Sequence, residues 1–288
     1  MTREMSTPEG ARASQTFSDK AGEAWVRLQD RTDALTGPLG RAAIARLAPA
    51  VGERVLDVGC GCGQTLLELA ERVGPSGRVH GVDVSPPMVG RARERVAGQA
   101  AISLSLGDAQ KQAFEPASFD AVFSRFGVMF FDDAAAAFRN LRAAVRSGGR
   151  LGFVCWQPLE KNPWAALPLA AVMRLLPPSA MPDMLRAGRP GPFSFGDPAH
   201  VRAILEDSGW KDVSTEPLEM PLHIGGAATL DEAVAYSLQI GPAARAMADA
   251  PRDLEPALAA ALRDALAPFA SARGVFMDGA VWIVTARA

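Results

Sequence analysis

The chain has 288 residues, 48% of them hydrophobic, with 30 basic and 32 acidic side chains. That length holds one large or two small cores, and an apolar fraction near the globular average excludes disorder as the main state. A net charge of −2 excludes a chain built chiefly to grip nucleic acid or anionic lipid, and three cysteines are too few for a disulfide framework and suit a reducing compartment.

Residues 1–15 carry charge and Ser, Thr, Gly and Pro but no apolar run of the signal-peptide kind, and predict a mobile tail. No run of 18 apolar residues offers a membrane span, so the expectation is a soluble, cytoplasmic protein. Residues 16–50 read as an N-terminal helical cap ending at Val51-Gly52. Over 51–158 short apolar runs alternate with amphipathic segments, the signature of a parallel α/β sheet. Its strands are expected at 54–59, 78–84, 101–107, 119–124 and 149–156. One helix follows Gly63 with Leu66, Leu69 and Val73 facing inward. A second is capped by Ser85, begins at Pro86 and ends near Gly98. Asp132 or Asp133 opens a third, which carries Phe138, Leu141, Ala144 and Val145 on one face and stops at Ser147-Gly148-Gly149. Proline-punctuated residues 159–196 read as a cap insertion, and 197–222 as a core helix and strand. Residues 223–273 read as a second cap insertion, wholly helical over 227–272, and 274–288 as the last core strand. Twenty-six arginines against four lysines, with 53 alanines, read as a genome-composition bias.

The strongest local signal is Val55-Leu56-Asp57-Val58-Gly59-Cys60-Gly61-Cys62-Gly63-Gln64-Thr65, a buried strand running through a glycine turn into a helix. Gly59, Gly61 and Gly63 let a ligand lie against the main chain, and the free N–H groups of the helix start attract an anion such as a carboxylate. A dinucleotide fingerprint places its third glycine at position 64, which here is Gln64. Gly-Lys-Ser/Thr is absent too, which excludes a triphosphate cradle. Asp57, two residues before Gly59, repels a pyrophosphate and welcomes an ammonium group. The ligand implied carries a cation and a carboxylate close together, as an amino acid does. Asp83 ends the second strand, 24 residues after Gly59, where an acid can bind both ribose hydroxyls. Asp108, in Gly107-Asp108-Ala109, can accept from an exocyclic amine. All three acids fall on the carboxyl edge of the sheet, where open α/β folds bind ligands. Amino acid, ribose and adenine together describe S-adenosylmethionine.

With these residues in place, the chain resembles the class I S-adenosylmethionine-dependent methyltransferases, in the group that includes the ubiquinone/menaquinone-biosynthesis type and many natural-product enzymes. The resemblance covers roughly residues 50–158. It rests on VLDVGCGCGQT, VHGVDVSPPMV, LSLGDAQ, SFDAVFSRFGVMFF and LRAAVRSGGRL, in the expected order. It implies an α/β, Rossmann-like, seven-stranded, mostly parallel sheet with an antiparallel last strand inserted near one edge. It also implies that Gly59, Gly61 and Gly63 hug the methionine part and that Asp57 orients its amine, directly or through water. Asp83 would hold the ribose, Val84 and Met88 flank adenine, Asp108 and Ala109 read the adenine edge, and Ser124 touch the methionine part through its backbone.

Methyl transfer is an in-line displacement, so the protein mainly holds the nucleophile about 3 Å from the methyl carbon, aligned and dry. A general base is needed only if the acceptor keeps a proton. His223, just before the second insertion, and Tyr236, the only tyrosine, are weak candidates for that duty; Arg125 is a candidate for pairing with an acidic acceptor. His80 and His200 read as structural. Met129, Phe130 and Phe131, with Trp25, Trp164, Phe193 and Phe195 of the additions, suggest an apolar or aromatic small acceptor, although core packing is the commoner fate of each. The nucleic-acid methyltransferase motifs after strand four are missing. Cys60-Gly61-Cys62 lacks a second ligand pair, so no metal is expected. The reading is a methyltransferase acting at O, N or C of a small molecule. The alternatives are a sensor that binds the same cofactor without transferring its methyl and, more remotely, a nicotinamide-dependent dehydrogenase. The oligomeric state stays open.

Overall fold

The structure, a computed structural model, describes residues 19–186 and 188–288; the tail expected over 1–15 lies outside the described residues. The strands are β1 (Arg54–Val58), β2 (Arg78–Asp83), β3 (Ile102–Leu106), β4 (Phe119–Arg125), β5 (Val145–Trp156), β6 (Lys211–His223), β7 (Ala270–Ser271) and β8 (Gly274–Arg287). Before β1 come α1 (Asp19–Arg27) and α2 (Gln29–Leu47). Between strands lie α3 (Gln64–Val73), α4 (Pro86–Arg95) and α5 (Ala134–Ala144), then α6 (Pro163–Met173), α7 (Pro198–Asp207), α8 (Leu230–Ser237), α9 (Pro242–Ala246) and α10 (Glu255–Leu266).

Strands β1 to β5 pair in parallel. In β1 the residues Val55, Leu56, Asp57 and Val58 are all buried, because a strand covered by helices on both faces has no solvent side. The sheet order is β3-β2-β1-β4-β5-β8-β6, and β8 runs antiparallel to both of its neighbours. This is the α/β sheet with an antiparallel last strand that the sequence predicts. The two-residue β7 pairs with the start of β8 and adds an eighth strand to the seven expected. Edge strand β6 tolerates Pro217 and Pro221 because its outer side needs no ladder donors. No helix among the described residues is long and apolar enough to cross a membrane.

Element boundaries differ from expectation where tertiary pairing overrides local pattern. Helix α5 is capped by Asp133, whose carboxylate accepts from the Ala136 N–H at 2.8 Å. It ends at Ala144, so Val145 opens β5 opposite Phe119 instead of extending the helix. Ser85 precedes α4 but its hydroxyl does not cap it; its N–H donates to Asp83 at 2.9 Å. The stretch 227–272 is not wholly helical, since Pro242 and Pro251 break it and β7 closes it.

One cluster joins core and insertions. Phe138 of α5 is fully buried, with ring contacts to Phe153 of β5 at 5.8 Å and Phe195 of the first insertion at 6.2 Å. Such a ring contributes about 1.5–3 kcal/mol by leaving water. Asn162, also fully buried, pins the same insertion to β8. Its amide donates to Gln157 O and Ala280 O, and its oxygen accepts from the Ala280 N–H and from Trp164 Nε1. The end of α2 is fixed by Arg150 of β5, which donates to Leu47 O and Ala48 O at 2.7 Å each and forks onto Glu53. That fork holds the Glu53 carboxyl below its ordinary value.

Candidate functional site

The sheet order reverses between β1 and β4, and the carboxyl ends of strands at such a reversal form a crevice. The glycine loop fills this position. Its first two amides, of Gly59 and Cys60, donate to Val82 O of β2 at 2.8 and 3.2 Å, so the turn is tied to the neighbouring strand from its start. Gly59 is at φ 71, and a β-carbon there would lie 2.8 Å from Gly127 Cα; only glycine lets the loop touch the segment after β4. Gly63 caps α3 at φ 87, with Ala92 of α4 just 3.1 Å from where its β-carbon would be.

The acids surround this loop. Asp57 is fully buried, and its Oδ2 accepts from the Thr65 hydroxyl at 2.5 Å. Burial pushes its carboxyl up to about 7 against the opposing pull of Thr65 and Arg125. Its other oxygen, Oδ1, is buried without a hydrogen-bond partner among the described residues. Such a group costs about 1–3 kcal/mol, a deficit that a donor such as an ammonium group removes. Asp83 accepts from the Gly61 N–H on Oδ2 and the Ser85 N–H on Oδ1, each at 2.9 Å, and burial raises its carboxyl too. The Val84 backbone N–H also acts on this carboxylate. Val84 is half-buried beside it, and the Met88 methyl approaches Gly61.

The remaining expected binding residues join the same edge. The Gly107 N–H donates to Asp83 O at 2.9 Å, which sets Asp108 and Ala109 beside the β2 end. Asp108 accepts from the Gln110 N–H at 3.0 Å, and Ala109 is buried with its carbonyl held by Asn140. The Ser124 hydroxyl donates to Val58 O at 2.7 Å and accepts from the Gly127 N–H at 3.1 Å, stapling β4 to β1. Hydrogen bonds thus tie Gly61 to Asp83, Asp83 to Gly107 beside Asp108, and Ser124 to Val58 beside Gly59. A surface groove of about 400 Å³ between α1 and α4 lies elsewhere and is lined by none of them.

The three candidate catalytic residues fare differently. His223 Nε2 donates to Ala227 O at 2.9 Å and its ring stacks on Phe276 at 4.5 Å, so it serves the β6–β8 pairing. Tyr236 is buried, its hydroxyl 3.4 Å from that of Thr32, and burial pushes the phenol up to about 12. It is therefore a donor at neutral pH and a poor base. Arg125 bonds Gln64, the first residue of α3, and lies 3.3 Å from Asp33 of α2; its partner is internal. Among the structural histidines, His80 bridges Ser103 and Ser105, and His200 is exposed.

Next to the loop an aromatic ladder rises from the β4 end. Phe126, held at φ 62, stacks on Trp156 at 4.4 Å, and Trp156 meets Trp164 at 4.7 Å. Trp164 then lines a narrow cleft with Ile224, Tyr236, Ile240 and Pro242 of the second insertion. Cys60, Cys62 and Cys155 are free thiols, and no group of three or more His, Cys, Asp or Glu among the described residues is arranged to hold a metal. Sequence reasoning did not find Asp33, Arg95 or Asn162. Asp33 had a signal in its spacing from Gly37 and Gly40 on one helix face; the other two had none.

A sequence profile described as a methyltransferase domain matches residues 55–149. Aklanonic acid methyltransferase from a Streptomyces species is 41% identical over 40% of this chain and 54% of its own length. The chain thus spans about half of that relative. Demethylmenaquinone methyltransferase of Roseiflexus castenholzii is 33% identical over 60% of this chain and 74% of its own length. Among solved structures, a phosphoethanolamine N-methyltransferase of Haemonchus contortus superposes with a TM-score of 0.59 at 19% identity, covering 98% of this chain and 61% of that one.

Proposed function

Because the chain belongs to the class I S-adenosylmethionine-dependent methyltransferase family, we propose that it moves the methyl group of that cofactor onto a small, apolar or aromatic acceptor. The observation that carries the reading is Asp57 Oδ1, a buried carboxylate oxygen without a donor among the described residues, at the foot of the glycine loop. When bound, the cofactor supplies a methyl group on a sulfonium, a carbon already activated for displacement.

Each residue then has a task. Asp57 accepts from the cofactor ammonium, and the glycine loop lies against the methionine part, its Gly59, Cys60, Gly61 and Gly63 amides being held by Val82, Asp83 and Cys60. Asp83 takes the ribose hydroxyls, Val84 and Met88 flank the adenine, and Asp108 with the Ala109 backbone meets the adenine edge. Ser124 holds the backbone of β4 against the methionine part. Phe126, Trp156 and Trp164 keep water from the reacting centre, and the half-buried Phe126 and Trp164 offer apolar faces to the acceptor. Tyr236, protonated at neutral pH, can donate to an acceptor oxygen but not remove its proton. Catalysis then rests on alignment and dryness.

Two further observations favour a small acceptor. The net charge of −2 gives no field to draw nucleic acid, and the two relatives are named for small molecules, aklanonic acid and demethylmenaquinone. Three free thiols suit work in the cytoplasm. Calorimetry with S-adenosylhomocysteine tests the cofactor half: the wild-type protein binds it, and Asp83→Ala weakens binding by about 1–3 kcal/mol, the cost of lost ligand hydrogen bonds. Unchanged affinity in that variant rules out the ribose assignment. Methyl transfer from labelled cofactor to a panel of phenols, quinols and amines tests the acceptor half.

A further inference from the structure

Cap helix α2 meets the loop region through a single stripe. Asp33, Gly37 and Gly40 stand at i, i+4 and i+7 and share one face. The Asp33 side chain is 11% exposed, and its two oxygens serve different elements. Oδ2 takes Arg95 Nη1 of α4 at 2.6 Å, and Oδ1 lies 3.3 Å from Arg125 Nη2 at the end of β4. Arg125 also bonds Gln64, where α3 leaves the glycine loop. The two glycines make room for this: a β-carbon at Gly37 would lie 2.9 Å from Gln64 Nε2, and one at Gly40 would lie 2.8 Å from Arg125 Cδ.

Two elements, α4 and β4, therefore converge on one carboxylate carried by α2, and Arg125 extends the contact to the start of α3. Without that carboxylate two guanidinium groups face each other in a mostly buried place, where like charges repel far more than in water. We propose that Asp33 is a positioning residue that couples the seating of the α1–α2 cap to the geometry of the glycine loop. With the cap seated, Asp33 holds Arg125, Arg125 holds Gln64, and the start of α3 keeps its amides aimed at the ligand. With the cap lifted, Arg95 and Arg125 lose their shared partner and the loop loses its brace. The coupling is reciprocal: a ligand that fixes the loop also fixes the cap. This inference rests on the cofactor reading above.

The test combines calorimetry with S-adenosylhomocysteine and hydrogen exchange of the α2 amides, both on the full chain. In the wild-type protein the ligand slows α2 exchange. Asp33→Asn, which keeps the size and removes the charge, lowers affinity about tenfold or more and abolishes the slowing, a size usual for coupled sites; Asp33→Glu restores part of both. Gly40→Val leaves every charge in place and displaces only the Arg125 stem, so it gives the same pattern and serves if Asp33→Asn does not fold. Affinity within about twofold of wild type in either folded variant, with α2 still protected by ligand, overturns the coupling. A wild-type protein that binds no S-adenosylhomocysteine overturns the cofactor reading, and the coupling with it.

Discussion

Asp57 sits in a strand whose other buried positions are aliphatic, and burial pushes its carboxyl up to about 7 from the ordinary 3.8. The folded chain thus holds a proton that the unfolded chain has already released, so this residue subtracts stability as pH rises from about 4 to about 7. An ammonium ligand needs the opposite state, the bare carboxylate. Affinity for S-adenosylhomocysteine is therefore expected to climb between about pH 6 and 8, and Asp57→Asn to flatten that climb while making the ligand-free protein less sensitive to pH over 4–7. Calorimetry and urea titrations across that range check both. A climb of equal size in the variant assigns the pH dependence elsewhere. At this scale the sequence is legible where chemistry follows from neighbours along the chain: Asp57 stands two places before Gly59, and Asp83 ends its strand. It is silent where partners are remote. The arginines read as compositional bias, yet Arg150 closes the end of α2 across 103 positions, and Arg95 reaches Asp33 across 62.

The glycine loop shows what an element asks of its residues. Gly59 is at φ 71 with Gly127 behind it, so Gly59→Ala combines an unfavourable backbone with a clash. The expected cost is about 1–3 kcal/mol of stability, read as a lowered urea midpoint, together with weaker ligand binding. Gly90, inside α4 with nothing within 4 Å of its missing β-carbon, is the contrast: Gly90→Ala is expected to stabilise by about 0.5–1 kcal/mol. The pair separates a glycine the fold needs from one it merely contains. Strand cores and some helix starts were readable from period and capping residues, as with Asp133, whose carboxylate accepts from the Ala136 N–H. Ends were less so. Val145 continues a helical pattern, but pairing with Phe119 claims it for β5, and no local propensity carries that information.

For the molecule as a whole, the insertions are bound into the core through few, well-satisfied polar anchors. Asn162 is the clearest, since its amide completes the backbone hydrogen bonding of Gln157 and Ala280 at once. Asn162→Ala takes their side-chain partner from the Gln157 carbonyl and the Ala280 N–H in a buried place, while the Ala280 carbonyl keeps the Gln157 N–H, and each stranded group costs about 1–3 kcal/mol. Urea unfolding is expected to show that loss, with a fall in intensity-weighted Trp164 burial by fluorescence quenching, because Trp164 Nε1 loses its acceptor. A midpoint equal to wild type shows that the insertion is held by its apolar contacts alone. The sheet could be read from the sequence because a strand–turn–helix signature is local. How the additions fold back could not, because Phe195, Asn162 and Asp33 find their partners only once the sheet exists.

Strand β8 also carries a consequence in time. It fills the space between β5 and β6, and among the described residues it is the one sheet neighbour of β6. A ribosome makes both flanking strands first. Until residues 274–287 follow, β5 has one unpaired edge and β6 has no partner at all, and such edges invite pairing with other chains. At about 5–20 residues per second, the stretch from the end of β6 to the end of β8 keeps those edges open for several seconds. The same late strand supplies Ala280 and Val281, on which Asn162 and Gln157 close. Birth order therefore makes β8 both the final piece of the sheet and the signal on which the first insertion settles.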